Sequence, residues 1–509
     1  MDKVANLPDD VDALKAIVSA KQSQIARLEY LLKAFKQVLF GRKSEKLDPD
    51  QFEFALEDIE TAIAETEAER DAGDDTPKPV EKKPRAANRG ALPKHLTRIE
   101  EVIEPESMAC SCGGDLHMVG EDVSERLDVI PAQFRVIITR RPKYGCRSCE
   151  TGIAQAPAPA HLIHGGLPTE ALIAHVLVSK YADHTPLYRQ AQIYSRQGIE
   201  LDRSTLANWV GKAAFELKPV FECLLKNLKT STKLHMDETR APVLDPGRGK
   251  TKTGYFWALA RDDRPWDGDD PPGVAYCYAT GRSGSFGEKF LDGFGGILQV
   301  DGYAGYNRLT KSSRQGPPIE LAYCWAHARR KLYDVAKNSM APIAEEGLKR
   351  IAELYRIEAE IKGQSAEARL AVRRQRSASL IESLGLWLSN NRTRVSGKSP
   401  LGEALRYISR FWNGLILFLS DGRIEIDNNA VERTIRPIAL NRKNALFAGH
   451  DTGAQNWGII ASLIETAKLN KIEPQAYLTK TLQAIINGHR QSQVELLLPW
   501  NYTAEINSV

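Results

Sequence analysis

His235-Met236-Asp237-Glu238-Thr239 is the stretch on which the reading of this chain turns. Leu234 and Met236 alternate toward Asp237, the period of a strand with one buried face. Strand patterns recur at Tyr255–Ala260 and Val274–Ala279. Ser285–Leu291 then reads as a helix, and Ile297–Val300 as a fourth strand that ends on Asp301. Leu321–Tyr323 is a fifth strand, running into a helix over Ala326–Ala336. A third carboxylate, Glu432, comes much later, in Asp427-Asn428-Asn429-Ala430-Val431-Glu432-Arg433.

Three strands, helix, strand, helix, strand is the order of a ribonuclease-H-like α/β core, a likeness of fold alone. The helix between the fourth and fifth strands is the least marked of these elements. In such a core the first and fourth strands are neighbours, so Asp237 and Asp301 are expected side by side. Glu432 is expected on a helix capped near Asp427 or Asn428 and stopped before Pro437. Asn428, Glu432 and Arg436 share one face of it, and Val431 and Ile435 bury the adjacent face. Asp427 is the second choice for the third carboxylate. Cleavage of a phosphodiester needs an activated nucleophile and a stabilised leaving oxygen, and two divalent ions about 3.5–4 Å apart serve both needs. Mg²⁺ (or Mn²⁺) prefers hard oxygen ligands. Asp237, Asp301 and Glu432 are therefore the candidate catalytic residues, with Asp237 bridging two ions and the others holding one each.

Working outward, residues 231–337 form the first part of the core, 338–420 a helical insertion, 421–470 the final part with the third carboxylate, and 471–509 a C-terminal extension. In the insertion, Leu380, Ile381, Leu384, Trp387 and Leu388 recur at helical spacing, which favours packing of the insertion's own core. Cys324-Trp325-Ala326-His327-Ala328-Arg329-Arg330 precedes it. Cys324 and His327 have a metal-like spacing without a second pair. The preferred reading takes His327, Arg329 and Arg330 to the scissile phosphate, the plainer one to a solvated helix start. Arg433, Arg436, Arg442 and Lys443 are placed to meet phosphates.

Upstream, residues 165–230 read as helices. A turn at Gln197–Leu201 and an N-cap at Asp202 open a helix that presents Arg203, Ser204, Thr205 and Asn208. This is either a helix-turn-helix-like DNA-binding region or a plain helical hairpin. In residues 92–160, Cys110, Cys112, Cys146 and Cys149 form two close pairs that suit structural Zn²⁺, with Phe134–Arg141 read as a strand between them. Residues 49–91 are an acidic, then basic and proline-containing linker. Over residues 10–48, Leu14, Val18, Lys21, Ile25, Leu28, Leu32, Phe35 and Leu39 follow a heptad seam. That is a coiled coil joining copies of the chain, or an amphipathic helix packed on its own protein.

The chain of 509 residues is long enough for several domains. Its net charge of +4 decides nothing about nucleic acid. No run of about 18 apolar residues suits a membrane span, and the N-terminal Met1–Lys15 lacks an apolar signal core. A soluble, cytoplasmic protein is expected. Seven cysteines in such a chain do not read as a disulfide framework. No phosphate-binding G-x-x-x-x-G-K-[ST] sequence points to ATP.

These blocks resemble transposases of the bacterial insertion sequence 66 family. The likeness rests on Phe40-Gly41-Arg42-Lys43-Ser44-Glu45-Lys46, Leu92-Pro93-Lys94-His95-Leu96, Cys112-Gly113-Gly114 with Cys146-Arg147-Ser148-Cys149, and the blocks around Asp237, Asp301, Cys324 and Glu432. Ile435-Arg436-Pro437 completes it. The resemblance implies a leucine-zipper-like segment, a zinc-binding region, and a DDE core with an inserted helical domain. It implies cutting and joining of DNA at the element's terminal inverted repeats, into target DNA, in the bacterial nucleoid. Carried over by position, the triad is again Asp237, Asp301 and Glu432. Accessory proteins of the same element are implied partners, beside homo-oligomers. One departure stands out: Ala109 occupies the place of the family's first cysteine, so Cys110 would have to reach the metal instead. Two rival readings remain: a non-enzymatic DNA-binding regulator, and a ribonuclease-H-like nuclease that never joins strands.

Overall fold

The computed structural model describes residues 133–145, 153–245, 250–338 and 341–503. The heptad seam, the linker and the four paired cysteines lie outside the described residues. The chain divides into two compact units, one spanning residues 73–158 and the other the rest.

In the described part of the smaller unit, Lys143–Gly145 pairs antiparallel with Ile153–Gln155. Arg141 Nη1 donates to Ala156 O at 2.9 Å and Gln155 Nε2 to Arg141 O at 2.9 Å, which braces the open end. The strand expected over Phe134–Arg141 does not form. Val136, Ile137 and Ile138 are exposed, so among the described residues this β-prone run has no apolar surface to pack on. Pairing begins only after Pro142, which has no N–H to give a ladder.

The described part of the larger unit opens with α1 (Glu170–Tyr181), α2 (Leu187–Ser195) and α3 (Arg203–Leu228). Thr169 caps α1, its hydroxyl accepting Leu172 N–H at 3.3 Å. Ile173, Val176, Leu177 and Tyr181 are buried, as their helical spacing requires, with Leu172 at the margin. The turn before α3 depends on Gly198, whose φ of 77° is one that side chains disfavour. Asp202 holds the N-cap position of α3 but makes no side-chain capping bond.

The central sheet contains β1 (Lys233–Asp245), β2 (Lys250–Arg261), β3 (Gly273–Ala279), β4 (Gly296–Val300) and β5 (Ile319–Tyr323). Its order is β3-β2-β1-β4-β5. β1, β2 and β3 pair antiparallel, whereas β4 runs parallel to both β1 and β5. Helix α4 (Gly284–Phe290) links β3 to β4. Between β4 and β5 there is a 3-10 helix, Ala304–Thr310, where the sequence marked an α-helix least clearly.

Helix α5 (Trp325–Asn338) leads into the insertion: α6 (Pro342–Ile361), α7 (Ala366–Val372), a π-helical turn at Arg373–Ser377, α8 (Ala378–Arg394) and α9 (Pro400–Leu415). Ile381, Leu384, Trp387 and Leu388 of α8 join Leu332, Ile351, Leu354, Leu405 and Phe411 in one apolar cluster, with Leu380 at its edge. The apolar face seen in the sequence thus packs in a core that the insertion shares with β5 and α5, through Ala322, Trp325, Ala328 and Leu332.

Three helices close the unit: α10 (Asn429–Ala445), α11 (Asp451–Leu469) and α12 (Pro474–Ile486). Helix α10 does not stop before Pro437 but runs eight residues beyond it, to Ala445. Proline forfeits one helical hydrogen bond. Burial of Ile438 and Ala439, with the bonds of Arg442 to Thr239 Oγ1 and Arg240 O, offsets that loss. Helix α11 covers the sheet edge at β3. Ser462 and Thr466 hydroxyls accept the N–H groups of Tyr276 (2.8 Å) and Val274 (3.1 Å), so the edge is not left open to pairing. A Cβ on Gly458 would stand 2.6 Å from Tyr276 O, so only glycine allows α11 this close.

Candidate active site

Side chains alternate across a strand, and β1 shows which residues face α10. His235 Nδ1 lies 2.9 Å from Asn428 Oδ1, immediately before α10. Four residues on, Arg442 Nη1 in the last turn of α10 donates to Thr239 Oγ1 at 3.1 Å. Asp237 lies between His235 and Thr239 and shares their face. The sheet gives the same answer across the strands. Asp237 pairs with Ala258, and Ala258 with Tyr276. The Tyr276 hydroxyl donates to Thr434 O of α10 at 2.5 Å. Paired residues project to one side, so this row lies under α10.

Asp301 joins that row from the other side. The last parallel rungs align Leu234 with Leu298 and His235 with Gln299. Two residues beyond, the same register sets Asp237 level with Asp301. Gln299, two before Asp301, faces the approach to α10: its Nε2 donates to Glu425 O at 2.8 Å and to Asp427 O at 3.2 Å. Each aspartate is oriented locally. Asp237 Oδ1 accepts Glu238 N–H at 2.8 Å, and Asp301 Oδ1 accepts Tyr303 N–H at 2.9 Å.

Glu432 lies one turn past Asn428 on α10 and is buried. Val431 and Ile435 beside it are also buried and seat the helix on the sheet. His327 Nδ1 is 3.9 Å from Glu432 Oε1. Ligand-type atoms of Cys324, His327 and Glu432 lie within 4.8 Å of one another, the only such group among the described residues. Cys324 Sγ accepts Asn428 N–H at 3.3 Å. Burial, then the Glu432 and Asp427 charges, push its thiol well above the usual range. A buried, protonated thiol of this kind packs and caps rather than reacts. Trp325 adds two bonds at the same junction: its N–H donates to Ile426 O and its indole N–H to Leu415 O, each at 2.8 Å. The start of α5 thus grips both ends of the 415–426 connection that leads into α10.

Two further groups set the electrostatics. Burial, then Lys233, depress His235 to about 3, so its imidazole is neutral. Asn428 Nδ2 donates to Met236 O at 3.2 Å, so Oδ1 is the acceptor and His235 Nδ1 carries the proton. Asp427 has a local task. Its two oxygens accept the backbone and side-chain N–H groups of Asn429, each at 3.1 Å, and burial pushes its carboxyl up to about 6. That role at the helix start sets it apart from Glu432.

The basic candidates separate. Arg433 and Lys443 are exposed and Arg436 is half-buried. Arg442 turns inward, held by Thr239 Oγ1 and by Arg240 O at 2.5 Å. Arg329 is buried, Arg330 half-buried, and His327 retains partial exposure. Arg203, Ser204 and Asn208 are exposed at the start of α3, with Thr205 half-buried. Glu238, not among the residues singled out by the sequence, is only 1% exposed on the opposite face of β1. Burial, then the Asp301 charge, push its carboxyl up to about 7. The acidic neighbour of Asp237 was the one available signal.

Known proteins match this chain along most of its length. Residues 165–456 match the model described as transposase IS66 family, which contains all three carboxylates. The chain belongs to the transposase IS66 family. Residues 27–100 match a segment described as transposase C of IS166 homeodomain, and residues 108–150 the zinc-finger binding domain of transposase IS66. Residues 462–500 match the IS66 C-terminal element. The 108–150 match spans all four paired cysteines. Similar curated proteins include uncharacterized proteins y4qI (43% identical) and y4jD (44% identical) of Sinorhizobium fredii (strain NBRC 101917 / NGR234), each matched over 98% of both chains. Uncharacterized protein y4hP of the same strain is 38% identical over 94% of this chain and 89% of its own. Among the described residues no helix is long and apolar enough to cross a membrane.

Proposed function

We propose that this chain is a DNA transposase that cuts at the ends of its element and joins the freed 3′-hydroxyls to target DNA, with Asp237, Asp301 and Glu432 as the catalytic carboxylates. The observation that carries the proposal is the shared face: the β1 residues on either side of Asp237 are bonded to both ends of the helix that bears Glu432. The strand order β3-β2-β1-β4-β5, with β4 parallel to β1, supports the ribonuclease-H-like reading of the core.

Three carboxylates form a hard-oxygen donor set, which fits Mg²⁺ or Mn²⁺ and suits softer ions less well. Asp237, Asp301 and Glu432 would hold the two ions. When bound, such a pair supplies charge stabilisation to the attacking and leaving oxygens of an in-line displacement. The chain's own contribution is placement. Backbone N–H groups orient both aspartates, and the His235–Asn428 bond sets the height of α10 over β1. Water would attack the phosphodiester at the element end, releasing a 3′-hydroxyl and a 5′-phosphate. That hydroxyl would then displace a 3′-oxygen in target DNA, exchanging one phosphodiester for another. Arg433, Arg436, Arg330 and Lys443 would meet phosphates near the site, and the exposed start of α3 would contact the element end. Arg442 and Arg329 would support the fold. Structural Zn²⁺ would be held by Cys110, Cys112, Cys146 and Cys149. Residues 10–48 would join copies of the chain.

The test uses labelled duplexes carrying the repeats that flank the gene, with Mg²⁺ or Mn²⁺ and with accessory proteins of the element. Cuts at the repeat ends that vanish with EDTA are the expected result. Binding without any cutting, with those proteins present, would favour a DNA-binding regulator.

A further inference from the structure

The face of β1 opposite Asp237 carries a carboxylate that the proposed chemistry leaves unused. Glu238 Oε1 accepts Arg282 Nε at 2.6 Å and also lies 2.5 Å from Arg282 Nη2. Glu238 Oε2 accepts the Tyr306 hydroxyl at 2.5 Å. Both partners reach the turn that bears Asp301. Tyr306 belongs to the 3-10 helix that follows it. The Arg282 guanidinium lies 4.0 Å over the ring of Tyr303, and the Tyr303 hydroxyl donates to Arg282 O at 2.5 Å. Tyr303 N–H in turn donates to Asp301 Oδ1. The Tyr306 ring meets Tyr303 edge-on at 5.7 Å and Trp257 at 5.9 Å. Gly284 lies so close that a Cβ there would stand 2.2 Å from Gly305 O.

We infer that Glu238 is a positioning residue: through Tyr306, and through Arg282 stacked on Tyr303, it holds the Asp301 turn level with Asp237. The inference rests on the reading of Asp237 and Asp301 as metal ligands. A buried carboxylate costs stability unless it is paired and hydrogen-bonded. Here both of these side-chain partners of Glu238 reach the Asp301 turn. Strand alternation divides the work between adjacent residues. Asp237 faces the helix and the proposed site, and Glu238 grips the turn from behind.

The test is Mn²⁺ binding to the full-length protein, read by electron paramagnetic resonance without DNA or turnover. Wild type is compared with Asp237→Asn, Glu238→Gln and Tyr306→Phe. Asp237→Asn is expected to lose the bound signal. Tyr306→Phe keeps the ring packing and loses only the bond to Glu238. It and Glu238→Gln are expected to weaken Mn²⁺ binding about 10- to 100-fold, the usual loss when a partner behind a ligand is removed. Circular dichroism should stay that of the wild type. If Asp237→Asn loses binding but Tyr306→Phe binds as wild type, the positioning role is overturned and the metal site stands. Complete loss in Glu238→Gln with a normal Tyr306→Phe would make Glu238 a ligand, which also overturns it. Wild-type binding by Asp237→Asn would remove the metal site and the inference together. Should Glu238→Gln fail to fold, Tyr306→Phe decides alone.

Discussion

His235 Nδ1 donates to Asn428 Oδ1 at 2.9 Å, and this buried bond ties the strand that carries Asp237 to the start of the helix that carries Glu432. Asn428 completes the tie by donating to Met236 O. Asn428→Ala would leave a buried N–H and a buried carbonyl without these partners, at a cost of about 1–3 kcal/mol. Urea unfolding should show that loss. DNA cleavage should fall further than the folded fraction does, with DNA binding kept. Unchanged stability and cleavage would show that the bond is dispensable.

The insertion reaches the site through two buried arginines. Arg373 binds Glu358 at 2.8 and 2.6 Å and donates to Phe418 O, Asp421 O and Ile424 O. Arg369 joins Glu358 at 3.5 Å and Glu425 at 2.8 Å. Together they fix the segment that enters α10. Glu358→Ala would leave buried positive charge uncompensated, which costs about 3–5 kcal/mol. The urea midpoint measures this, and a shift under 1 kcal/mol by that measure would place the clamp's strength elsewhere.

Asp451 gives a pH prediction remote from the carboxylate site. Hydrogen bonds from Lys252 Nζ (2.7 Å) and the Tyr278 hydroxyl (2.6 Å) hold its carboxyl below the usual range. A depressed folded pKa adds stability that is present above the unfolded value, about 3.9, and is lost as pH falls through the folded one. Asp451→Asn should therefore melt below wild type at neutral pH, with the gap closing below about pH 4. The gap should be small, because the pair is partly exposed. A gap that widens on acidification would contradict the assignment.

Zinc is checked by metal content. The zinc-finger match over 108–150 leads us to expect about one Zn²⁺ per chain by elemental analysis. Cys146→Ser should lose it. Undiminished zinc in that variant would exclude the proposed ligand set.

The sequence made the carboxylates legible because each sits at a local signal. Asp237 ends an alternating run, Asp301 follows a short apolar strand, and Glu432 lies one turn inside a helix opened by Asp427-Asn428-Asn429. Long-range pairing was not legible. Arg282 and Tyr306 lie 44 and 68 residues from Glu238, so only the folded sheet brings them together. Pro437 read as a stop because local propensity cannot weigh the burial of Ile438 and Ala439. Phe134–Arg141 read as a strand because its residues favour one, but β-propensity measures fit to a packed surface, and Val136, Ile137 and Ile138 stay exposed. Arg329 and Arg442 read as phosphate contacts, since sequence alone does not distinguish an arginine that faces DNA from one bonded inside.

The most direct measurement compares strand joining by wild type, Asp301→Ala and Glu432→Gln. Each is incubated with pre-cut element ends bearing a 3′-hydroxyl, target DNA, Mg²⁺ and the accessory proteins. Joined products are expected from wild type alone, with all three proteins binding the ends equally well. Joined products from either variant at the wild-type rate would contradict the assignment of these carboxylates to the chemistry.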